Sequence, residues 1–111
     1  MQAFREVAKP DAIVLTSYET GNVLPAWVPV RVVYGHSVES LEYFELKPQV
    51  KAFYSVGVAD ASRQAFLAEH HVDYVFWGPL ERELGEWDAS QADYLTPVVE
   101  LGEYVVFAVE E

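Results

Sequence analysis

The residues best suited to chemistry include a histidine and a glutamate three positions apart. His36 and Glu39 follow the apolar run that ends at Tyr34, and this i, i+3 spacing places an imidazole and a carboxylate on one face of a helix. Such a pair could exchange a proton or hold a metal ion. A third metal ligand is missing nearby, so we predict no metal. We interpret His36 first as a histidine that ties a strand to its loop, with ligand contact as the alternative.

A second pair, Glu81 and Arg82, follows Gly78-Pro79. Proline at the first position of a helix is favourable, and an acidic residue in the first turn is stabilised by the helix dipole. Arg82 could hold a carboxylate or a phosphate. We expect Glu81 to cap the helix and to pair with Arg82, and contact of this pair with a ligand is the alternative.

Other catalytic and cofactor-binding patterns are absent from the sequence. The chain has no cysteine, which excludes a thiolate nucleophile, a disulfide and a zinc–thiolate site. It has no glycine-rich phosphate loop, no Walker lysine and no Gly-x-Ser-x-Gly elbow. We therefore assign no catalytic residue and expect no cofactor.

The charge of the chain is strongly negative. Its formal net charge is −11, and no lysine or arginine follows Arg82. Nucleic acid is excluded as a partner because phosphate binding needs clustered basic residues. A solvated acidic surface is the simpler interpretation, and a surface for a basic partner or for cations is the alternative.

The elements that must position these residues alternate between strands and helices. Asp60 is predicted to cap a helix whose apolar stripe includes Ala61, Ala65, Phe66 and Ala68, with Arg63 facing water. We predict helices over 1–8, 38–44, 61–70 and 79–84, a break at Pro48 before a further turn over 50–54, and a short helix over 90–94. Strands are predicted over 11–16, 30–34 and 72–77, and a hairpin over 97–109.

This order of elements predicts the fold class. Strands separated by helices are expected to pair in parallel, which gives an α/β, Rossmann-like three-layer domain with a mainly parallel sheet and a C-terminal antiparallel hairpin. Residues 1–111 are expected to form one soluble domain, because the chain is long enough for one hydrophobic core and too short for two. Ligands of such sheets bind at the carboxyl ends of the strands, which here are loops 17–22, 35–37 and 78–82.

Several segments also resemble a known family. The segments are Pro10 to Leu15, Thr20 to Ala26, the Tyr34-Gly35-His36 motif and Tyr74 to Arg82, followed by the hairpin. In this order they resemble the C-terminal soluble tail of bacterial multi-pass membrane glycosyltransferases of the polyprenyl-phosphate-sugar-dependent class, akin to the dolichyl-phosphate-mannose–protein mannosyltransferases. The resemblance spans about Pro10 to Val109.

The resemblance implies a supporting role outside the cytoplasm. In this family an acidic residue in an early extracytoplasmic loop is the catalytic base, and that loop is not part of this chain. We expect a domain excised from a larger bacterial membrane protein, non-catalytic, that helps to bind the acceptor or packs on the membrane body. The implied partners are the transmembrane part of its parent chain and a glycan or lipid-linked sugar. The ligand-binding candidates are Thr20, Gly21, Asn22, Gly35, His36, Glu39, Glu81 and Arg82.

Two other hypotheses remain open from the sequence. The chain could be a free-standing module that binds a small ligand or a protein partner. It could also be a small enzyme that uses His36 with Glu39 or Glu81.

Overall fold

The computed structural model describes residues 12–17, 31–32 and 40–109. Five strands in this part of the chain form one sheet in the order β2-β1-β3-β5-β4. The elements are β1 Ile13–Leu15, β2 Arg31–Val32, α1 Ser40–Phe53, α2 Asp60–Glu69, β3 Tyr74–Trp77, α3 Pro79–Leu84, a 3₁₀ helix Ala89–Gln91, β4 Leu95–Leu101 and β5 Tyr104–Val109.

The sheet is mixed rather than mainly parallel. β1 pairs in parallel with β2 and β3, as predicted for the third strand relative to the first two. β5 lies between β3 and β4 and is antiparallel to both. The predicted α/β class and the closing hairpin are confirmed, and Gly102 forms its turn with a φ of 58°. The predicted Rossmann-like, mainly parallel sheet is not confirmed. A tight hairpin joins antiparallel neighbours, and the last strand of this hairpin, β5, is also antiparallel to β3.

The main core lies on one face of the sheet. Leu15, Val75 and Phe107 are aligned across β1, β3 and β5, and they pack with apolar side chains of both long helices and of the segment before β4. The opposite face is also covered, since Val14 and Val106 are 0% exposed. Burial on both faces explains why the β1 sequence is continuously apolar rather than alternating.

The helix α1 passes through Pro48 without interruption, so the predicted break there is wrong. Proline lacks the N–H that would bond to the preceding turn, yet Ser40–Phe53 is one helix. Leu46, Val50 and Phe53 are all buried in the core, and their i, i+4, i+7 spacing places them on one face. Packing of that face offsets the hydrogen bond lost at exposed Pro48.

The boundaries and the buried face of α2 differ from the prediction. Ala59, not Asp60, occupies the N-cap position. The buried residues are Arg63, Phe66 and Leu67, whereas the alanines of the predicted stripe are exposed. The small alanines bury little apolar area, so the larger side chains determine which face turns inward.

The C-terminus of α2 is a Schellman motif. The His71 N–H donates to the Ala68 carbonyl at 3.3 Å, and the Val72 N–H donates to the Leu67 carbonyl at 2.9 Å, which is the paired bonding of this cap. His71 has a φ of 54°, a conformation in which glycine is the usual residue.

The remaining local predictions concern three short helices. The helix α3 begins at Pro79 and ends at Leu84, as predicted, and the expected short helix over 90–94 is a single 3₁₀ turn over Ala89–Gln91. The predicted helix over 1–8 lies outside the described residues.

Candidate functional site

The structure describes two of the eight predicted site residues, Glu81 and Arg82. The other six, namely Thr20, Gly21, Asn22, Gly35, His36 and Glu39, lie outside the described residues. The described residues at the carboxyl end of the sheet are those that follow β1 and β3.

Glu81 joins the ends of two parallel strands through its carboxylate. Its side chain is 0% exposed. One oxygen, Oε1, accepts from the Gly78 N–H at 3.0 Å, and Oε2 accepts from the Ser17 N–H at 2.8 Å. Gly78 follows β3 and Ser17 lies two residues beyond β1, so one carboxylate holds both strand ends. The predicted capping role of Glu81 is confirmed, and the link to Ser17 was not predicted.

The glycine at position 78 makes this arrangement possible. A Cβ at Gly78 would lie 2.9 Å from Cδ1 of Tyr104 and 3.2 Å from Oε1 of Glu81, which is closer than side chains normally approach. The absence of a side chain therefore allows Tyr104 to pack over the strand end while the carboxylate reaches the backbone amide.

Tyr54 supports the same region from inside the core. Its hydroxyl donates to the Phe76 carbonyl at 2.8 Å and lies 3.2 Å from the Leu15 carbonyl oxygen. Burial, and secondarily the negative charge of Glu81, raises the pKa of Tyr54 well above its usual value. The hydroxyl thus stays protonated at neutral pH and is held by backbone oxygens, which is unsuited to general acid–base chemistry.

Arg82 does not form the predicted ion pair with Glu81. Both oxygens of Glu81 accept backbone amides, while the exposed guanidinium of Arg82 stacks over the ring of Trp77, 4.2 Å from its centroid. This cation–π contact places a positive charge and an aromatic ring together at the surface next to the strand end.

A second buried charge is Arg63, and the prediction that it faces water is wrong. Its side chain is only 3% exposed. Nε donates to the Phe53 carbonyl at 2.7 Å, Nη1 donates to the Val58 carbonyl at 2.8 Å, and Nη2 donates to Ser55. These oxygens belong to the end of α1 and the loop after it, where helix carbonyls lack partners within the helix. Arg63 therefore serves as a cap for α1.

Two further groups complete the environment of Arg63. Asp60 lies 3.0 Å from its Nη1 and also accepts from the Tyr94 hydroxyl at 2.9 Å. The guanidinium stacks over Trp87 at 4.4 Å. The i, i+3 spacing of Asp60 and Arg63 in the sequence could have indicated their ion pair. The carbonyls that Arg63 binds could not be predicted in this way, because they depend on how α1 packs against α2.

A cavity lined by described residues lies at the other end of the sheet. This amino-end groove has a volume of about 820 Å³. It is bounded by the end of α2, the segment leading into β3, the segment before β4 and the end of β5; its residues include Leu67, Ala68, His71, Asp73, Asp93 and Val109. The sequence analysis placed ligand binding at the carboxyl ends of the strands and did not identify this groove.

The buried charges in the described part of the site hold main-chain groups in place. The Glu81 carboxylate and the Arg63 guanidinium are bound to backbone groups, and a buried charge that is fully hydrogen-bonded stabilises the conformation of those groups. Among the described residues, no three acidic or histidine side chains are grouped closely enough to hold a metal ion. None of the helices in these ranges is both long and apolar enough to cross a membrane.

The comparisons with known proteins identify a shared fold. No protein-family model matches the chain, and no curated protein sequence matches it significantly. Among solved structures, the chain is similar to the C-terminal globular domain of an oligosaccharyltransferase from Archaeoglobus fulgidus. The TM-score is 0.59 and the sequence identity is 12%, over 94% of this chain and 88% of that domain. At this identity the likeness shows a common fold.

Proposed function

We propose that this domain is the non-catalytic C-terminal domain of a membrane glycosyltransferase. The observation that carries the proposal is the fold shared, over nearly the full length of both chains, with the C-terminal globular domain of an oligosaccharyltransferase. The motif order around Tyr34-Gly35-His36 and Tyr74 to Arg82 is the resemblance that led to the same class from the sequence. The parent is proposed to use a polyprenyl-phosphate-linked sugar, with this domain on the extracytoplasmic side of a bacterial membrane.

The use of the buried polar groups supports a non-catalytic role. Glu81 and Arg63 are the two charged side chains buried in the described core, and both bind main-chain groups of loops and helix ends. General acids and bases need a proton that can move to a substrate. These groups instead give the domain a fixed shape, which suits a domain that positions other parts of a protein.

The carboxyl end of the sheet offers a surface for packing on the parent's membrane body. Leu80 and Tyr104 are 40% and 44% exposed, and Tyr104 lies close to Gly78. The stacked Arg82 and Trp77 belong to the same strand end and the helix after it. Exposed apolar and aromatic residues with an arginine are typical of interface centres, so we place the contact with the parent here.

The test of this proposal is to read the complete coding sequence and count its segments of membrane-spanning length, about 20 apolar residues each. We expect several such segments before residue 1 in the same reading frame. A reading frame with no such segment anywhere would refute membership of a multi-pass enzyme.

A second candidate function is a free-standing module that binds a small ligand or a partner. The amino-end groove favours it, because its volume of about 820 Å³ lies in the range of small-molecule sites. A thermal-shift screen of the purified chain checks this function. Stabilisation by a ligand class in a chain without membrane segments would favour the module, and an unchanged melting temperature throughout would count against it.

A further inference from the structure

We propose that the amino-end groove binds the basic side chain, lysine or arginine, of a polypeptide segment. This inference goes beyond the proposed function and does not depend on it, because it concerns the opposite end of the sheet from Glu81 and Arg82.

The electrostatics of the groove favour a cation. Asp73 and Asp93 contribute carboxylates, and the described residues that line the groove include no lysine or arginine. The groove also lies at the C-terminus of α2, where the helix dipole is negative. The last turn of α2 contains no basic residue to compensate it. These local charges add to a chain whose formal net charge is −11.

The walls of the groove favour a long side chain over a bare ion. Apolar atoms of Leu67, Ala68, Val72 and Val109 line it alongside the acidic residues. Lysine and arginine carry a methylene stem below the charged group, and the stem packs on apolar surface while the charge stays near water. A metal ion would gain nothing from these walls, and the described residues form no group of three metal-ligating side chains.

The two carboxylates differ in how far they are already engaged. Oδ2 of Asp73 accepts from the Ile13 N–H at 3.0 Å, which fixes the side chain at the amino ends of β1 and β3. Asp93 is exposed. Asp73 therefore supplies an oriented negative charge, and Asp93 can adjust to the position of the incoming cation.

The experiment titrates the ¹⁵N-labelled chain with blocked pentapeptides and follows the amide resonances by NMR. The probes are Gly-Ala-Lys-Ala-Gly and Gly-Ala-Arg-Ala-Gly, and the control is the first peptide with its lysine acetylated, which removes the charge. We expect shifts at Ala68, His71, Asp73 and Asp93 with the charged peptides, weaker binding in high salt, and no saturable shifts with the acetylated peptide.

Two variants keep the test specific to the groove. Asp93→Asn should weaken binding about threefold, which is the size of effect expected for one exposed charge pair. Glu86→Gln removes an exposed charge outside the groove and should leave the affinity unchanged. Equal binding of the acetylated and charged peptides, or equal weakening by both variants, would overturn the proposal. It would also be overturned if spermidine shifted these residues while neither charged peptide did.

Discussion

Replacing Glu81 should destabilise the domain far more than replacing another glutamate of the same short helix. The Glu81 carboxylate is fully buried and accepts two main-chain N–H groups, from Ser17 and Gly78. A hydrogen bond to a charged group contributes about 1.5–3 kcal/mol. Glutamine keeps one acceptor oxygen but turns an NH₂ group toward the second amide, so Glu81→Gln should lower the free energy of unfolding by about 1.5–3 kcal/mol.

The alanine substitution should cost roughly twice as much. Glu81→Ala leaves both amides without an acceptor, and the sum of about 3–6 kcal/mol approaches the whole stability of many domains. Glu81→Gln is therefore the informative variant. Its matched control is Glu83→Gln, which removes an exposed charge from the same helix and should change stability by less than about 0.5 kcal/mol.

Urea unfolding at pH 7, followed by tryptophan fluorescence, measures both variants. Amide hydrogen exchange adds a local readout, since the Ser17 and Gly78 N–H groups should exchange faster in Glu81→Gln and normally in Glu83→Gln. If Glu81→Gln were as stable as Glu83→Gln, the carboxylate would not hold the two strand ends together, and the reasoning for this site would fail.

Three further predictions concern the core and its caps. Arg63→Met should lower the free energy of unfolding by about 3 kcal/mol in urea titrations, because several carbonyls lose their donor. Arg82→Met removes only an exposed stack on Trp77 and should cost less than about 1 kcal/mol. Equal losses for the two variants would contradict the role of Arg63 as a cap for α1. Gly85→Ala should lower the melting temperature because its Cβ would lie 2.6 Å from Cα of Ser55, while Gly57→Ala, with nothing within 4 Å, should not; similar melting temperatures would refute the close approach. Burial raises the pKa of Tyr54 above its unfolded value of 10.0, so the stability that its protonated hydroxyl contributes is fully present below about pH 10 and is lost as the pH rises through the raised pKa. The free energy of unfolding should therefore fall less steeply with alkaline pH in Tyr54→Phe than in the unchanged chain, and identical pH profiles would contradict this.

The sequence predicted the elements whose signals are local. The proline at the start of α3 and the glycine in the hairpin turn determine backbone geometry within a few residues, and both were placed correctly. The apolar runs of β1 and β3 were also recognised, because strands buried on both faces carry no polar alternation.

The errors arose where tertiary contacts outweigh local preference. Pro48 is tolerated because Leu46, Val50 and Phe53 pack on one side of α1. Arg63 is buried because the carbonyls at the end of α1 need donors, and a helical-wheel pattern carries no information about a neighbouring helix end. The positions of β4 and β5 in the sheet likewise depend on a tertiary contact, because β5 rather than β4 pairs with β3.

The candidate site was predicted only in part for the same reason. Glu81 was recognised as a cap from its place in the first turn of α3, but its bond to Ser17 joins residues 64 positions apart. No local pattern indicates such a contact. The amino-end groove was overlooked because it forms where three separate segments of the chain meet.

The most direct test of the proposed function compares sugar transfer by three purified proteins: the complete parent chain, the parent without this domain, and this domain alone. With a polyprenyl-phosphate-linked sugar and an acceptor, we expect transfer by the complete chain, reduced transfer by the truncated one and none by the domain. Transfer by the domain alone, or full transfer without it, would contradict a supporting, non-catalytic role.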